Sequence, residues 1–273
     1  MRRTMEVYID DIIVKSKTRM EHMKHLEEAF ALMGKYNMKL NSLKCVFDIN
    51  AGKFLGLLVT QWGIEINLNQ VKVVLETPVP STKKEMQWLT SHLVPLGRFI
   101  AMFTNKLYLF FTTLYRAQNF SWTEDCNSFL DAIKCCLTKP PILSGPKEGK
   151  ELYMCFAISD YAVNVVLFWK TQEDGQKFVY YVSKALVDTK TQYSQVEYTT
   201  LALHVAIKKL RSYFQAHQLT ILTNQSLRIT LHKPDLFGQM MKWAIELSEY
   251  DIQYKPFLSL KGHILVDFIA KLP

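Results

Sequence analysis

The sequence predicts an α/β protein in two blocks. An α+β first block continues into helices, and a second block forms a mixed five-stranded sheet with flanking helices. Short apolar runs bounded by turn residues alternate with apolar residues at helical spacing. From residue 150 onward these segments follow the order βββαβααβα, with more than one connection fit for a parallel crossover. The chain has 273 residues, 49% of them hydrophobic, which predicts one large domain or two ordinary ones.

The first block is expected to open with a β-hairpin. Apolar runs at 7–9 and 12–14 flank Asp10 and Asp11, which fits two strands joined by a two-residue turn. Apolar residues then recur at spacings of three and four, which predicts a helix with one apolar face. These residues are Met20, Met23, Leu26, Phe30, Met33 and Tyr36.

Strand-like pieces are expected to close the first block, at about 38–40, 44–47 and 54–60. A helical pattern follows from about 67 to 114, interrupted by Pro78 and Pro80, because proline cannot continue a helix. A connector over 117–149 holds one further helix, at about 123–137.

The second block supplies the sheet. Its expected strands lie at 152–158, 163–169, 178–183, 219–223 and 252–254. Its expected helices lie at about 194–214, from 224, at about 237–249 and from 264.

Composition excludes several classes of protein. Charged residues make up 21% of a largely apolar chain, so disorder is not its main description. The longest uncharged runs, such as 107–114, are too short to span a bilayer, and we expect no membrane partner. No signal peptide is expected at the start.

Five cysteines, an odd number without C-x-x-C spacing, predict free thiols in a reducing, intracellular compartment. The 33 basic and 25 acidic residues give a net charge of +8, which suits a polyanionic partner.

The acidic pair Asp10 and Asp11 supports two interpretations. It could be a turn selected for its backbone geometry, or a divalent cation site, because Mg²⁺ prefers carboxylate oxygens. The surrounding stretch, residues 7–14, resembles the Y-x-D-D motif of reverse transcriptases.

The resemblance continues along essentially the whole chain, to the polymerases of gypsy-type LTR retrotransposons. The matching segments, in chain order, include Lys39-Leu40-Asn41, Phe54-Leu55-Gly56, Phe99-Ile100, Pro140-Pro141 and Tyr180-Tyr181-Val182-Ser183-Lys184-Ala185-Leu186. The resemblance implies four parts: a partial reverse transcriptase palm over 1–66, a thumb-like helical segment over 67–116, a connection over 117–149 and an RNase H-like domain over 150–273.

This family implies two ancestral activities, RNA-directed DNA synthesis and cleavage of RNA in RNA–DNA hybrids, each with two Mg²⁺ ions. The polymerase site would use Asp10, Asp11 and a third Asp on an earlier strand, for which the nine residues before Asp10 leave no room. We therefore expect a polyprotein fragment that is inactive in isolation. Its implied partners are RNA–DNA hybrid or duplex nucleic acid and the missing upstream and downstream polyprotein segments. The alternative is a non-catalytic nucleic-acid-binding or structural remnant.

The family's nuclease places four carboxylates around its metals. The matching positions in this chain are Ala157, Glu197, Asn224 and Asp267, so two of the four carboxylates are replaced. Two metals held by the remaining pair should be poorly bound. The same losses resemble the Tat lineage of plant gypsy-type elements, which carry a degenerate RNase H-like domain followed by a second one.

Each of these positions also has a structural interpretation. Glu197 completes an S-x-x-E capping box with Ser194, and Asn224 is a preferred N-cap residue. Asp267 could be an exposed helix residue. Asp160, three positions after Ala157, could replace the lost ligand through a bulge, although an odd offset points it to the other face of the strand.

A basic and aromatic cluster closes the long helix of the second block. Lys208, Lys209 and Arg211 lie close in sequence to Tyr213 and Phe214. The cluster fits a nucleic-acid contact, and it fits equally well cations at a helix C-terminus beside a buried aromatic face.

Overall fold

A computed structural model gives the fold of two compact units, Met1–Asn67 and Leu68–Pro273. It describes residues 5–8, 11–16, 18–47, 49, 51–54, 57–60, 63–116, 122–146, 149–159, 162–171, 175–186, 194–225, 227 and 239–256.

The first unit opens with the predicted antiparallel hairpin, β1 (Met5–Tyr8) and β2 (Asp11–Val14). The register pairs Tyr8 with Asp11, so Asp11 is the first residue of β2. The prediction that both aspartates form the turn is therefore wrong for Asp11. Apolar pairing decides the register, because it places Val7 opposite Ile12.

Helix α1 (Arg19–Lys35) follows, and the Thr18 hydroxyl caps it by accepting a hydrogen bond from the Glu21 backbone N–H at 3.3 Å. The predicted helix is confirmed, but its expected apolar face is largely exposed. Only Ala29 and Met33 are buried, and Met20 is 88% exposed. Burial is limited because α1 packs mainly against β2.

The rest of this unit is a three-stranded antiparallel sheet made of β3 (Ala51–Phe54), β4 (Leu57–Thr60) and β5 (Gly63–Glu65). The strands expected at 38–40 and 44–47 are absent from these described segments. A 3₁₀ turn, Ser42–Lys44, lies between them, since the Asn41 side chain accepts a hydrogen bond from the Leu43 backbone N–H at 3.1 Å.

The second unit begins with four helices: α2 (Leu68–Glu76), α3 (Lys83–Leu93), α4 (Phe103–Arg116) and α5 (Glu124–Thr138). As predicted, Pro78 and Pro80 separate α2 from α3. A 3₁₀ turn, Val94–Phe99, leads from α3 towards α4. The largest side chains at the helix contacts are fully buried, among them Leu89, Leu107, Phe110 and Ile133.

The predicted five-stranded mixed sheet is confirmed. Its strands are β6 (Leu152–Ser159), β7 (Ala162–Lys170), β8 (Gln176–Ala185), β9 (Leu219–Leu222) and β10 (Ile252–Lys255). Their spatial order is β10-β9-β6-β7-β8. Strands β6, β7 and β8 are antiparallel neighbours, whereas β9 runs parallel to both β6 and β10. Helices α6 (Gln195–Ala216) and α7 (Gln239–Ser248) lie in the connections to β9 and β10.

The sheet has two distinct faces. Met154 and Val165 pack with Leu203 and Ile207 of α6 in one core. Along each strand, the residues that alternate with these point to the opposite face of the sheet. On that opposite face α4 packs against β7 and β8. The helix expected from 264, and most of the one from 224, lie outside the described residues. Among the described residues, no helix is long and apolar enough to cross a bilayer.

Candidate functional site

The hairpin presents part of the predicted polymerase site. Asp11 starts β2, and Asp10 lies outside the described residues. At the open end of the hairpin, Lys15 Nζ lies 2.5 Å from Glu6 Oε1. In the portion of the chain that the structure describes, no three His, Cys, Asp or Glu side chains come together as a possible metal site. The predicted hairpin is therefore present, but the described residues do not bring together a set of metal ligands at it.

Ala157, at the first predicted nuclease position, is only 1% exposed. It pairs across strands with Asn164 of β7, so both side chains are on the same face of the sheet. Helix α6 packs against the opposite face, through the neighbours of Ala157 in the β6 alternation, such as Phe156. The first nuclease position thus points into the side of the sheet that α4 covers, away from the side that α6 covers.

A buried polar cluster fills this side. Asn164 Nδ2 donates to Asn105 Oδ1 at 2.6 Å and to the Ala157 carbonyl oxygen at 3.3 Å. Ser183 Oγ donates to Asn164 Oδ1 at 2.5 Å. Asn105 Nδ2 donates to Ser159 Oγ at 3.0 Å. Together with the bond from the Thr104 backbone N–H to Ser183 Oγ at 2.8 Å, these contacts fasten α4 to β6, β7 and β8.

The strand neighbours of this cluster are buried. Cys155, two residues before Ala157 on the same strand face, is fully buried, and burial raises the pKa of its thiol. Burial is also the main cause of the raised pKa of Tyr181, which lies two residues before Ser183 on β8. An ionised side chain at position 157 would therefore be shielded from water.

Glu197, at the second predicted nuclease position, caps α6. Its carboxylate accepts a hydrogen bond from the Ser194 backbone N–H at 2.6 Å, and Ser194 Oγ accepts one from the Glu197 backbone N–H at 3.4 Å. These two bonds form the capping box that the S-x-x-E spacing allows. The geometry therefore gives Glu197 a structural task; a role as a metal ligand stays a prediction.

Asn224 is exposed and follows β9 by two residues. The turn beside it is made by Thr223, whose Oγ1 accepts a hydrogen bond from the Gln225 backbone N–H at 3.0 Å. Asp160 and Asp267 lie outside the described residues. With Ala157 buried and Glu197 engaged in its cap, the described donors do not provide a site for two Mg²⁺ ions.

Another carboxylate, that of Glu151 immediately before β6, is held by three donors. It accepts hydrogen bonds from Tyr153 Oη at 2.7 Å, from Lys255 Nζ at 3.1 Å and from the Thr220 hydroxyl. Burial, and secondarily the hydrogen bond to Glu151, raises the pKa of Tyr153 to about 12. Because its oxygens are taken up in this way, Glu151 does not replace a missing nuclease ligand.

Sequence reasoning missed the polar cluster of Asn105, Asn164 and Ser183. One signal was available, since Asn164 is the only polar residue in the apolar run from Ala162 to Trp169. A buried side-chain amide in such a run needs a hydrogen-bonding partner. Its partner Asn105 is 59 residues away in sequence, and no local pattern connects the two.

Comparisons with known proteins agree with this architecture. Residues 1–93 match the family model for reverse transcriptase (RNA-dependent DNA polymerase), and residues 122–221 match the model for the RNase H-like domain found in reverse transcriptase. Two Schizosaccharomyces pombe proteins, the transposon Tf2-3 and Tf2-7 polyproteins, are 27% and 26% identical over 256 residues. The aligned region is 91% of this chain, which spans only 19% of the length of either polyprotein.

Solved structures share the fold. The foamy viral protease-reverse transcriptase in complex with RNA/DNA hybrid superposes with a TM-score of 0.78 and 19% identity, over 96% of this chain and 36% of that one. The foamy viral protease-reverse transcriptase dRH in complex with ds DNA gives a TM-score of 0.74 and 18% identity, over 95% of this chain and 47% of that one.

Proposed function

We propose that this chain, a fragment of a retrotransposon reverse transcriptase with its RNase H-like domain, holds nucleic acid without cleaving it. The sheet of the second unit would support the helices that precede it. Polymerisation and hybrid cleavage would then belong to other segments of the longer polyprotein.

The burial of Ala157 is the observation that carries this proposal. Two-metal hydrolysis needs carboxylates that reach both the ions and the substrate phosphate. Ala157 has no carboxylate, and α4 is fastened across its side of the sheet by Asn105. Hydrolysis is therefore disfavoured at the first ligand position by both the side chain and the packing around it.

The loss of two predicted nuclease carboxylates supports a finer assignment to the Tat lineage of plant gypsy-type elements, in which the RNase H-like domain is degenerate. Ala157 and Asn224 are the two replaced positions. Mg²⁺ would be an ancestral cofactor of both sites. Any Mg²⁺ on the polymerase side would involve Asp10 and Asp11, and on the nuclease side only Glu197 and Asp267 keep a carboxylate.

Nucleic acid is the partner that charge and fold favour. The chain carries a net charge of +8, and solved structures of the same fold hold double-stranded DNA or an RNA/DNA hybrid. Because cations on the protein release counterions from the phosphate backbone, affinity should fall steeply as salt increases.

We expect the purified chain to bind a fluorescent RNA–DNA hybrid, with affinity falling about tenfold or more between about 50 and 200 mM salt. Neutralising three exposed cations of α6 together, Lys208→Gln, Lys209→Gln and Arg211→Gln, should reduce the slope of log affinity against log salt by about one for each contact that is lost. Fluorescence anisotropy at several salt concentrations measures both quantities.

The matched control is Lys72→Gln on α2, because Lys72 Nζ lies 3.6 Å from Glu76 Oε1 and its charge is already balanced. It should leave the slope almost unchanged. If the hybrid does not bind at low salt, the nucleic-acid part of the proposal fails and a purely structural remnant is left. A triple variant with an unaltered slope would place the contact on other cations.

A further inference from the structure

A surface pocket of about 520 Å³ lies where two helices of the second unit end. Helix α6 ends at Ala216 and α7 ends at Ser248, and residues at both ends line the pocket, among them Glu249 and Asp251. Strands β9 and β10 begin shortly after these two helix ends. Ala157 is not among the lining residues, so the pocket is separate from the first predicted nuclease position.

Both helix ends lack the cations that usually stabilise such positions. A helix C-terminus carries a partial negative charge, which Lys or Arg in the last turn offsets. Neither α6 nor α7 has a basic residue in its last turn, although the chain contains 33 basic residues. The cluster of Lys208, Lys209 and Arg211 lies more than one turn before the end of α6, so these cations do not serve its last turn.

Two carboxylates lie where those cations would be expected. Glu249 directly follows α7 and Asp251 directly precedes β10, and both side chains are exposed. In the described part of the chain neither carboxylate forms an ion pair. Asp251 Oδ2 accepts a hydrogen bond from Gln218 Nε2 at 3.3 Å. Negative side chains beside two negative helix ends repel those ends, and a bound cation would relieve the repulsion.

The pocket also has an aromatic wall on a fixed backbone. Phe214 is buried and meets the half-buried Tyr250 ring edge-on, with 5.4 Å between the ring centres. The His217 N–H donates to the Tyr213 carbonyl oxygen at 3.0 Å, and the Tyr250 N–H donates to the Leu247 carbonyl oxygen at 3.2 Å. Both helix ends are therefore held in place without a ligand. An aromatic ring beside carboxylates suits an organic cation, because its face attracts positive charge.

We infer that this pocket binds an alkylammonium group between Glu249 and Asp251. An ammonium has three N–H donors, which carboxylates and helix-end carbonyl groups can accept. A metal ion fits less well, because the described residues bring no three His, Cys, Asp or Glu side chains together. The group can belong to a free polyamine or to a lysine side chain of a partner. The pocket does not depend on the proposed binding of nucleic acid.

The test is a titration of the full chain with spermidine at constant ionic strength, followed by ¹H–¹⁵N NMR. We expect the backbone amide signals of Gln218 and Asp251 to shift and saturate. Neutralising both carboxylates, Glu249→Gln with Asp251→Asn, should weaken spermidine binding by about tenfold. The matched control is Glu27→Gln with Glu28→Gln, which removes the same charge from two exposed residues of α1 that do not line the pocket. Its affinity for spermidine should be unchanged.

Shifts that do not saturate, or equal weakening in the two double variants, would overturn the site and show only general attraction to carboxylates. Thermal unfolding gives a second measurement. Spermidine should raise the unfolding temperature of the unmodified chain and of the α1 control, but not that of the pocket variant. N-acetyl-lysine methylamide, which has a single ammonium, then distinguishes the source. Binding as tight as that of spermidine assigns the pocket to a lysine side chain, and weaker binding assigns it to a polyamine.

Discussion

Ala157→Asp is expected to destabilise the second unit by about 3–5 kcal/mol at pH 8, because it places a charge in a buried site where the described residues offer no cationic partner. Both amide hydrogens of Asn164, the nearest cross-strand side chain, are already donated to Asn105 and to the Ala157 carbonyl. A carboxylate at this predicted ligand position would therefore damage the fold before it could help to assemble a metal site. Denaturant unfolding of the variant and the unmodified chain measures the difference.

The loss of stability should depend on pH in a defined direction. Burial raises the pKa of the introduced carboxyl above the unfolded value of about 3.9, so the folded state favours its protonated form. The penalty is therefore small near pH 4 and grows as pH rises through the folded-state pKa. Ala157→Asn is the matched control, with the same size and no charge. Equal stability of the two variants at pH 8 would show that the site is open to water.

Asn164→Leu should cost about 2–4 kcal/mol of unfolding free energy, because it leaves Asn105 Oδ1 and Ser183 Oγ without their buried partner. Leucine has a similar branched shape but a larger volume, so the loss combines the hydrogen bonds with the cost of overpacking a fully buried position. Chemical denaturation monitored by tryptophan fluorescence gives the value.

A double-mutant cycle isolates the bond between α4 and the sheet. Combining Asn164→Leu with Asn105→Leu should cost less than the sum of the single changes, with a coupling energy of about 1–2 kcal/mol. The control cycle pairs Asn164→Leu with Thr77→Ala at the end of α2, and these two costs should add. Additive costs in the first cycle would mean that the cluster does not hold α4 to the sheet.

Sequence patterns predicted the sheet of the second unit well because its signal is local. Apolar runs such as Val163–Trp169 and the helical spacing of α6 depend on neighbouring residues, and so does the proline break between α2 and α3. The order of strands and helices then limits the topology to a few choices.

Features that depend on tertiary partners could not be predicted in this way. The hairpin register moved Asp11 from the turn into β2 because the pairing of whole strands decided it. Periodicity placed Met20 on the apolar face of α1, but it carries no information on what packs there, and Met20 is 88% exposed. The S-x-x-E spacing fits Glu197 both as a helix-capping residue and as a metal ligand. Only its hydrogen bonds to Ser194 in the structure identify the cap.

Cleavage of a labelled RNA–DNA hybrid, measured at protein concentrations that saturate binding, tests most directly the claim that the chain holds nucleic acid without cutting it. We predict intact RNA in Mg²⁺ and at most a trace of product in Mn²⁺, from the unmodified chain and from the Glu197→Gln variant alike. Metal-dependent cleavage by the unmodified chain that disappears with Glu197→Gln would contradict it, and would make Asp160 the first candidate for the missing ligand.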